Sequence, residues 1–406
     1  MKLLTINDAV ASYPAYPASF YRRFPQAIGA DYKTQYHWLE YDHFISTMPF
    51  KQPMDRLGYE VWNVDRGFEE VQRIWAGEMH GSHASLSLDD IVVAQAKAFR
   101  PDVIVFDAGG SVLLKRLRAE VPSIRLVIGW VGSAIPQGDA WKLIDLLITC
   151  APESLATLQH SGMRCAYLQH AFNPAINDRL TDTGVPIEIS FIGSIIRRRG
   201  FHLSREKFLL RLVDALPLAI YSPTSHSRPI DYAKAVAAAG AQISIGVLDT
   251  LNLLQVARRS PLVARAERIR SPFRMPVNSR LKQNLREGVY GLEYYQTLRD
   301  SYVNLNIHAD TSPTHASNQR LFEATGVGTC LLTDWKSNIA ELFDPDNEVV
   351  VYKSAEEAVD KGRWLLEHPG ERLKIAEAGK ARTLRSHSFA DRVAEFDAMV
   401  RKALNA

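Results

Sequence analysis

Short apolar runs alternate with longer amphipathic stretches along nearly the whole chain. The runs fall at residues 3–6, 59–64, 103–106, 125–129, 146–149 and 166–168 in the first half. They return at 187–192, 218–221, 241–245, 303–307, 329–332 and 349–352 in the second. Apolar segments too short for helices, separated by segments with one apolar face, predict parallel βαβ units. Pro101-Asp102 stops one helix and launches the third strand, while Gly58 and Gly162 close the helices before theirs. Right-handed crossovers would collect the strands' C-terminal ends along one edge, where α/β proteins hold ligands. Helical stretches at 355–367, 370–385 and 389–404 end the chain.

Two departures from this rhythm stand out. A polar stretch at 177–184, after Gln169-His170-Ala171-Phe172-Asn173-Pro174, separates the two strand series and reads as an interdomain linker. With 406 residues the chain also exceeds one ordinary core. The expected fold class is therefore α/β, with two Rossmann-like domains, residues 1–172 and 185–387, facing a cleft. The second departure is the segment 9–56. It holds Tyr13-Pro14-Ala15-Tyr16-Pro17, then Phe20, Tyr21, Tyr32, Tyr36, Trp38, Tyr41 and Phe44. Its first half reads as a Pro- and aromatic-rich loop, its second as one helix. Such an insertion at the ligand edge is either functional or a packed decoration, and the sequence favours neither.

Composition alters this picture little. Hydrophobic residues at 46% and charged residues at 23% suit a globular protein. A net charge of +3 is too mild to imply a nucleic-acid partner, which calls for a concentrated basic footprint. No run approaches the roughly 18 apolar residues of a transmembrane segment. The start, Met1-Lys2-Leu3-Leu4-Thr5-Ile6-Asn7-Asp8, meets an acid before any signal-peptide stretch. Cys150, Cys165 and Cys330 are far apart and odd in number, which fits buried thiols better than a disulfide framework or zinc site. The expected location is the cytoplasm.

Candidate chemistry gathers at strand ends. Phe191-Ile192-Gly193-Ser194 closes the first strand of the second half, and Arg197-Arg198-Arg199-Gly200 follows. Glycine there lets the backbone approach a phosphate, and free N–H groups and arginines favour the anion. A Walker motif is absent, and a tight turn before a solvated basic patch would account for the same residues. His308-Ala309-Asp310-Thr311-Ser312-Pro313 follows the strand at 303–307, and a helix is expected to open near Ser317. Its positive end would be a second anion site.

That helix carries Asn318, Arg320 and Glu323, and Gly326 and Gly328 end it. Arg320 and Glu323 form either a surface ion pair or two nucleotide contacts, the arginine on a diphosphate and the carboxylate on both ribose hydroxyls. Residues 258–286 carry eight arginines and one lysine against Glu267 alone, lining a cleft or forming a solvated rim. On the acceptor side, Asp107 before Gly109-Gly110, His170, His80, His83 and Asp8 lie in predicted loops, where an acid or imidazole could deprotonate a hydroxyl. Caps and turns would explain them equally. No Ser-His-Asp order, Cys-His pairing or metal-ligand spacing occurs, so neither metal nor cofactor is expected.

Asn318-Gln319-Arg320-Leu321-Phe322-Glu323-Ala324, Gly326 and Leu331-Leu332-Thr333-Asp334 resemble the C-terminal signature of the CgeB-like (spore maturation protein-like) glycosyltransferases. The similarity runs on through Phe343, Glu348-Val349-Val350-Val351-Tyr352, Gly379 and His387-Ser388-Phe389 to Arg392, and upstream takes in Ser190-Phe191-Ile192-Gly193-Ser194. It implies the GT-B architecture: donor nucleotide on the C-terminal domain, acceptor on the N-terminal one, and no obligatory metal. It also implies a last helix, residues 388–406, that returns to the N-terminal domain. By the same resemblance Glu323 binds ribose and the Gly193-Ser194 turn faces the diphosphate. Retaining relatives often carry an acid eight positions before the ribose carboxylate. His315 stands there, and either takes over that contact or marks a different donor geometry.

The expected activity is transfer of a sugar from a nucleotide-diphosphate sugar donor to a hydroxyl acceptor of unknown class. Gly193, Ser194, Arg197, His308, His315, Asn318, Arg320 and Glu323 would serve the donor, and Asp107 or His170 the proton transfer. The rivals are a nucleotide-sugar epimerase on the same fold and a non-catalytic two-lobed binding protein.

Overall fold

The computed structural model describes residues 1–44, 51–81, 86–108, 110–132, 140–195, 202–223, 253, 260 and 277–405. Among them stand two parallel sheets of six strands each. The first comprises β1 (Lys2–Asn7), β2 (Glu60–Asp65), β3 (Val103–Asp107), β4 (Leu126–Val131), β5 (Leu146–Thr149) and β6 (Cys165–Tyr167), in the order β2-β1-β3-β4-β5-β6. The second comprises β7 (Ile187–Ile192), β8 (Leu218–Tyr221), β9 (Leu285–Arg286), β10 (Ser301–Asn306), β11 (Cys330–Asp334) and β12 (Val350–Tyr352), in the order β12-β11-β10-β7-β8-β9. All six positions of β4 are buried, as a strand covered on both faces requires.

Each sheet reverses its winding beside its first strand, between β1 and β3 and between β7 and β10. Loops leave such a switch point in opposite directions and open a crevice at the strands' C-terminal ends. Register brings Asn7 level with both Asp65 and Asp107 at the first crevice. Within the second sheet, Asn304 pairs with Ser190 of β7 and Leu331 of β11.

Two differences from the sequence expectations have physical causes. The two-residue strand β9, paired with Ile220 and Tyr221, is too short to leave a periodic signal. The expected strand at 241–245 lies outside the described residues. The first half of the 9–56 insertion is helical, with α-helices Ala9–Ser12 and Tyr16–Arg23 and a 3₁₀ turn Pro25–Ala27. Pro17 and Pro25 occupy first-turn positions, where the missing N–H is harmless, so they start helices instead of breaking them. The second half forms the helices Tyr32–Asp42 and Lys51–Arg56, with 45–50 between them outside the described residues.

The aromatic residues of the insertion pack on one another: Tyr16 stacks on Phe44 at 3.6 Å and Phe24 on Trp38 at 5.0 Å. At the other end of the chain, the helix Phe389–Leu404 lays Phe389, Val393, Phe396 and Val400 against Leu3, Val103, Leu126 and Ile128 of the first sheet. The chain crosses between sheets at Phe172, whose N–H donates to His387 and whose carbonyl accepts from Phe389. A Cβ on Gly326 would lie 2.4 Å from the Phe172 ring, so this crossing tolerates glycine alone.

Candidate functional site

At the β7–β10 crevice the sequence places two guanidiniums side by side. Arg205, on the helix Leu203–Leu212, is 7% exposed and donates to the carbonyls of Ser194 (2.9 Å) and Ile307 (2.8 Å), joining the ends of both strands. Arg320 donates to the Ile192 carbonyl at 2.9 Å and lies over the Tyr294 ring at 4.5 Å. Burial, then repulsion from Arg320, lowers the Arg205 pKa to about 10. Arg205 Nε and Arg320 Nη1 are buried and have no hydrogen-bond partner among the described residues.

His308, 4% exposed, donates from Nδ1 to Asp334 at 2.7 Å, and its backbone N–H donates to the same oxygen. Its buried Nε2 is also without a partner among the described residues. Burial opposes ionisation of Asp334, but His308 and Lys336 bring its carboxyl below the usual range. The carboxylate thereby fixes the ring's orientation.

The helix carrying Arg320 and Glu323 spans Arg320–Val327, opening three residues later than expected. Ser317 and Asn318 resemble N-caps in sequence, but their side chains bond to Ser312 and Asn306 instead. Arg320 and Glu323 are not a surface ion pair. Glu323 is 8% exposed and accepts hydrogen bonds from Tyr294 Oη and, at 3.2 Å, Tyr295 Oη. Burial pushes its carboxyl up, while Arg320 and the two phenols pull it back.

Several expected donor residues stand differently from their sequence rationale. The Gly193 N–H donates to Tyr221 and is not free for a phosphate. Its lack of a side chain matters instead, since a Cβ would sit 3.1 Å from Phe191 and 3.4 Å from Arg205. Arg197 lies outside the described residues. His315 is engaged by Glu153, on the helix Pro152–His160 beside the first sheet: its N–H and Nδ1 meet that carboxylate at 2.9 and 3.1 Å. Bonds from Thr314 and His315 overcome burial and hold Glu153 at about 2. Residues 277–286 of the basic stretch carry the exposed Arg280–Asp214 pair, a solvated rim, and most of the remainder lies outside the described residues.

The β1–β3 crevice opens into a cavity of about 420 Å³. Asn7, Asn63, Asp65 and Asp107 form its sheet side, and Tyr16, Tyr32, Tyr36, Glu40, His43 and Phe44 of the insertion cover it. Asp107 touches water yet is ringed by protein. Burial and the charge of Asp8 raise its carboxyl to about 6, and it makes no hydrogen bond or ion pair among the described residues. Asp8 itself is held by Arg66 through two bonds of 2.9 Å. His170 is not part of this cavity. It lies 5.3 Å from the Trp130 ring, and burial lowers it to about 4, leaving it neutral. His83 lies outside the described residues.

The insertion also binds the two crevices together. Asp42, 0% exposed, accepts from Tyr16 Oη (2.9 Å), Arg23 Nε and Nη2 (3.0 and 2.7 Å) and the Leu292 N–H (3.0 Å). Leu292 opens the helix Leu292–Arg299, which carries Tyr294 and Tyr295. Tyr13, edge-on to Phe44, feels the charges of Arg320 and Arg205, which lower a phenol that burial raises. Sequence reasoning missed Arg205, Asp42 and both tyrosines. The one available signal was the place of Asp42 inside the aromatic insertion.

The glycosyl transferase-like family matches residues 250–398. No curated protein matches the chain by sequence. Among solved structures it is similar to a glycosyltransferase from Rickettsia africae ESF-5, at 10% identity, TM-score 0.54, and 99% and 98% of the two chains covered. It is similar to Anabaena Alr3699/HepE in complex with UDP-glucose, at 12% identity, TM-score 0.52, and 99% and 100% covered. It is also similar to the sucrose-phosphate synthase of Thermosynechococcus elongatus, at 11% identity, TM-score 0.51, and 99% and 98% covered. The two parallel sheets are those of the GT-B glycosyltransferase fold.

Proposed function

We propose that this chain transfers a sugar from a nucleoside diphosphate sugar, held at the β7–β10 crevice, to a hydroxyl acceptor in the β1–β3 cavity. One observation carries the reading. Arg205 and Arg320 repel each other in a buried setting and both retain a donor nitrogen without a partner among the described residues. Buried cations and unpaired donors are unfavourable unless an anion completes them, and a diphosphate supplies both charge and acceptors. His308 Nε2 adds a third unpaired nitrogen, and Glu323 on the adjoining helix suits a ribose diol. The complex of Alr3699/HepE with UDP-glucose supports a nucleotide-sugar donor. We assign the chain to the CgeB-like branch on residues 318–334.

In the reaction the acceptor oxygen bonds to the anomeric carbon as the bond to the diphosphate oxygen breaks. Asp107 takes the hydroxyl proton. Negative charge grows on the leaving diphosphate, so Arg205 and Arg320 stabilise the transition state more than the bound donor. We assign that neutralisation to guanidinium groups and expect activity to survive EDTA. Unpaired Cys150, Cys165 and Cys330 suit a reducing compartment, the cytoplasm.

The test is a thermal-shift screen with UDP, GDP, dTDP and CDP, since a ligand selective for the native state raises the melting point. The corresponding sugar donor is then incubated alone and with acceptor mixtures. A transferase releases diphosphate with acceptor and slowly without it. An epimerase converts the donor with no release, and a binder does neither. No shift from any of the four nucleotides would sink the reading.

A further inference from the structure

The polar groups of the β1–β3 cavity are unbalanced. At about 420 Å³ it lies in the lower part of the roughly 300–1,000 Å³ range of small-molecule sites. Two lining side chains more than nine-tenths buried keep an unpaired polar atom: Gln72, 2% exposed, at Oε1, and His43, 7% exposed, at Nε2. The Gln72 amide nitrogen donates to the Asp65 carbonyl at 2.9 Å, so its unpaired atom is an acceptor. Burial drops His43 to about 3, so it adds no positive charge.

Of the four lining carboxylates, Asp55 pairs with Lys51 and Asp65 accepts from the Val10 and Gly67 N–H groups, while Glu40 and Asp107 are underused. Glu40 accepts a hydrogen bond from Tyr36 Oη at 2.8 Å, and neither it nor Asp107 has an ion-pair partner among the described residues. Of the lining cations, Lys51 is neutralised by Asp55 at 3.4 Å, and Arg179 is turned to a backbone carbonyl and a ring, those of Tyr41, at 2.6 and 4.7 Å. Tyr32 and Tyr36 stack at 5.8 Å on the same wall as Glu40. A carboxylate set among aromatic faces attracts a cation through both the charge and the ring quadrupoles.

We infer that the cavity takes a sugar-sized polyol bearing a protonated amine, with the amine beside Glu40 and a hydroxyl beside Asp107. An ammonium supplies a donor to the Glu40 carboxylate and cancels charge that a neutral sugar would leave uncompensated. Naming this molecule the acceptor rests on the glycosyl-transfer reading, but the preference for the amine does not.

The experiment uses the full chain, titrated by calorimetry with glucosamine and 6-amino-6-deoxyglucose, each against its N-acetyl form and against glucose. At least one amine should bind about tenfold more tightly than its N-acetyl form, the scale of one desolvated cation contact. Glu40→Gln should erase that difference while the variant keeps the wild-type melting temperature without ligand, which shows it folded. Equal affinity for amine and N-acetyl forms, no binding of either, or a preference that survives Glu40→Gln overturns the inference. If the amine preference holds and no nucleotide binds, the donor assignment fails and the cavity assignment stands.

Discussion

Replacing Glu323 by glutamine separates ligand binding from folding at the β7–β10 crevice. Alanine would not: it strands the buried hydroxyls of Tyr294 and Tyr295, at about 1–3 kcal/mol each, and would mix unfolding with lost affinity. Glutamine keeps one carbonyl acceptor and a donor that a phenol oxygen can receive. What it removes is the charge. A hydrogen bond to an ionised group contributes about 1.5–3 kcal/mol against about 0.5–1.5 for a neutral one, so two ribose contacts lose roughly 2–3 kcal/mol together. That corresponds to an affinity loss of roughly 30–150-fold. The assay is calorimetry on wild type and variant, using the nucleoside diphosphate selected by the screen and its 2′,3′-dideoxy form. The dideoxy ligand lacks both hydroxyls and should bind both proteins alike, so the coupling isolates the diol contact. An equal loss for both ligands would refute the role given to Glu323.

Asp107→Asn should lower kcat by about 10²–10⁴ while nucleotide affinity holds. Because burial and Asp8 hold Asp107 near 6, it is protonated and idle below that pH, so wild-type kcat/KM for acceptor should fall as pH drops through about 6. A profile that falls only in the ordinary carboxylate range would exclude it. Arg205→Gln should weaken the diphosphate about tenfold more than the monophosphate, by losing one charge-assisted contact, and calorimetry with both ligands shows whether the losses differ. Asp42→Ala leaves Arg23 with the half-exposed Glu293 alone and strands the Tyr16 hydroxyl and the Leu292 N–H, which should remove about 2–4 kcal/mol of stability in urea unfolding. Gly291→Ala should act through the same contact, since its Cβ would fall 2.1 Å from Asp42 Oδ2 at a φ of +57°. Unchanged unfolding midpoints would dissolve this clasp.

The strands were legible because a buried parallel strand is a continuous apolar run with sharp ends, and β5 and β8 begin and end where the runs do. Helix starts were less so. Ser317 and Asn318 have the chemistry of N-caps, yet Ser312 and Asn306 claim their side chains, and only tertiary structure reveals that competition. Arg205 was invisible for a related reason. An arginine in the first turn of an amphipathic helix reads as solvated until the Ser194 and Ile307 carbonyls, from separate strands, meet above it.

The insertion shows the same limit at longer range. Its rings announced an apolar cluster, but nothing local says that Asp42 belongs with Gly291. The two are joined by what the glycine lacks: any side chain there would occupy the place of the carboxylate. Asp42 then caps the first turn of Leu292–Arg299, the helix whose Tyr294 and Tyr295 hold Glu323. Tyr16, which donates to Asp42, also lines the β1–β3 cavity. A molecule that shifts the Tyr16 ring therefore acts on the helix that sets the geometry of Glu323. Two crevices in separate sheets are thus connected through one buried carboxylate, and filling one should alter affinity at the other by the same factor in both directions.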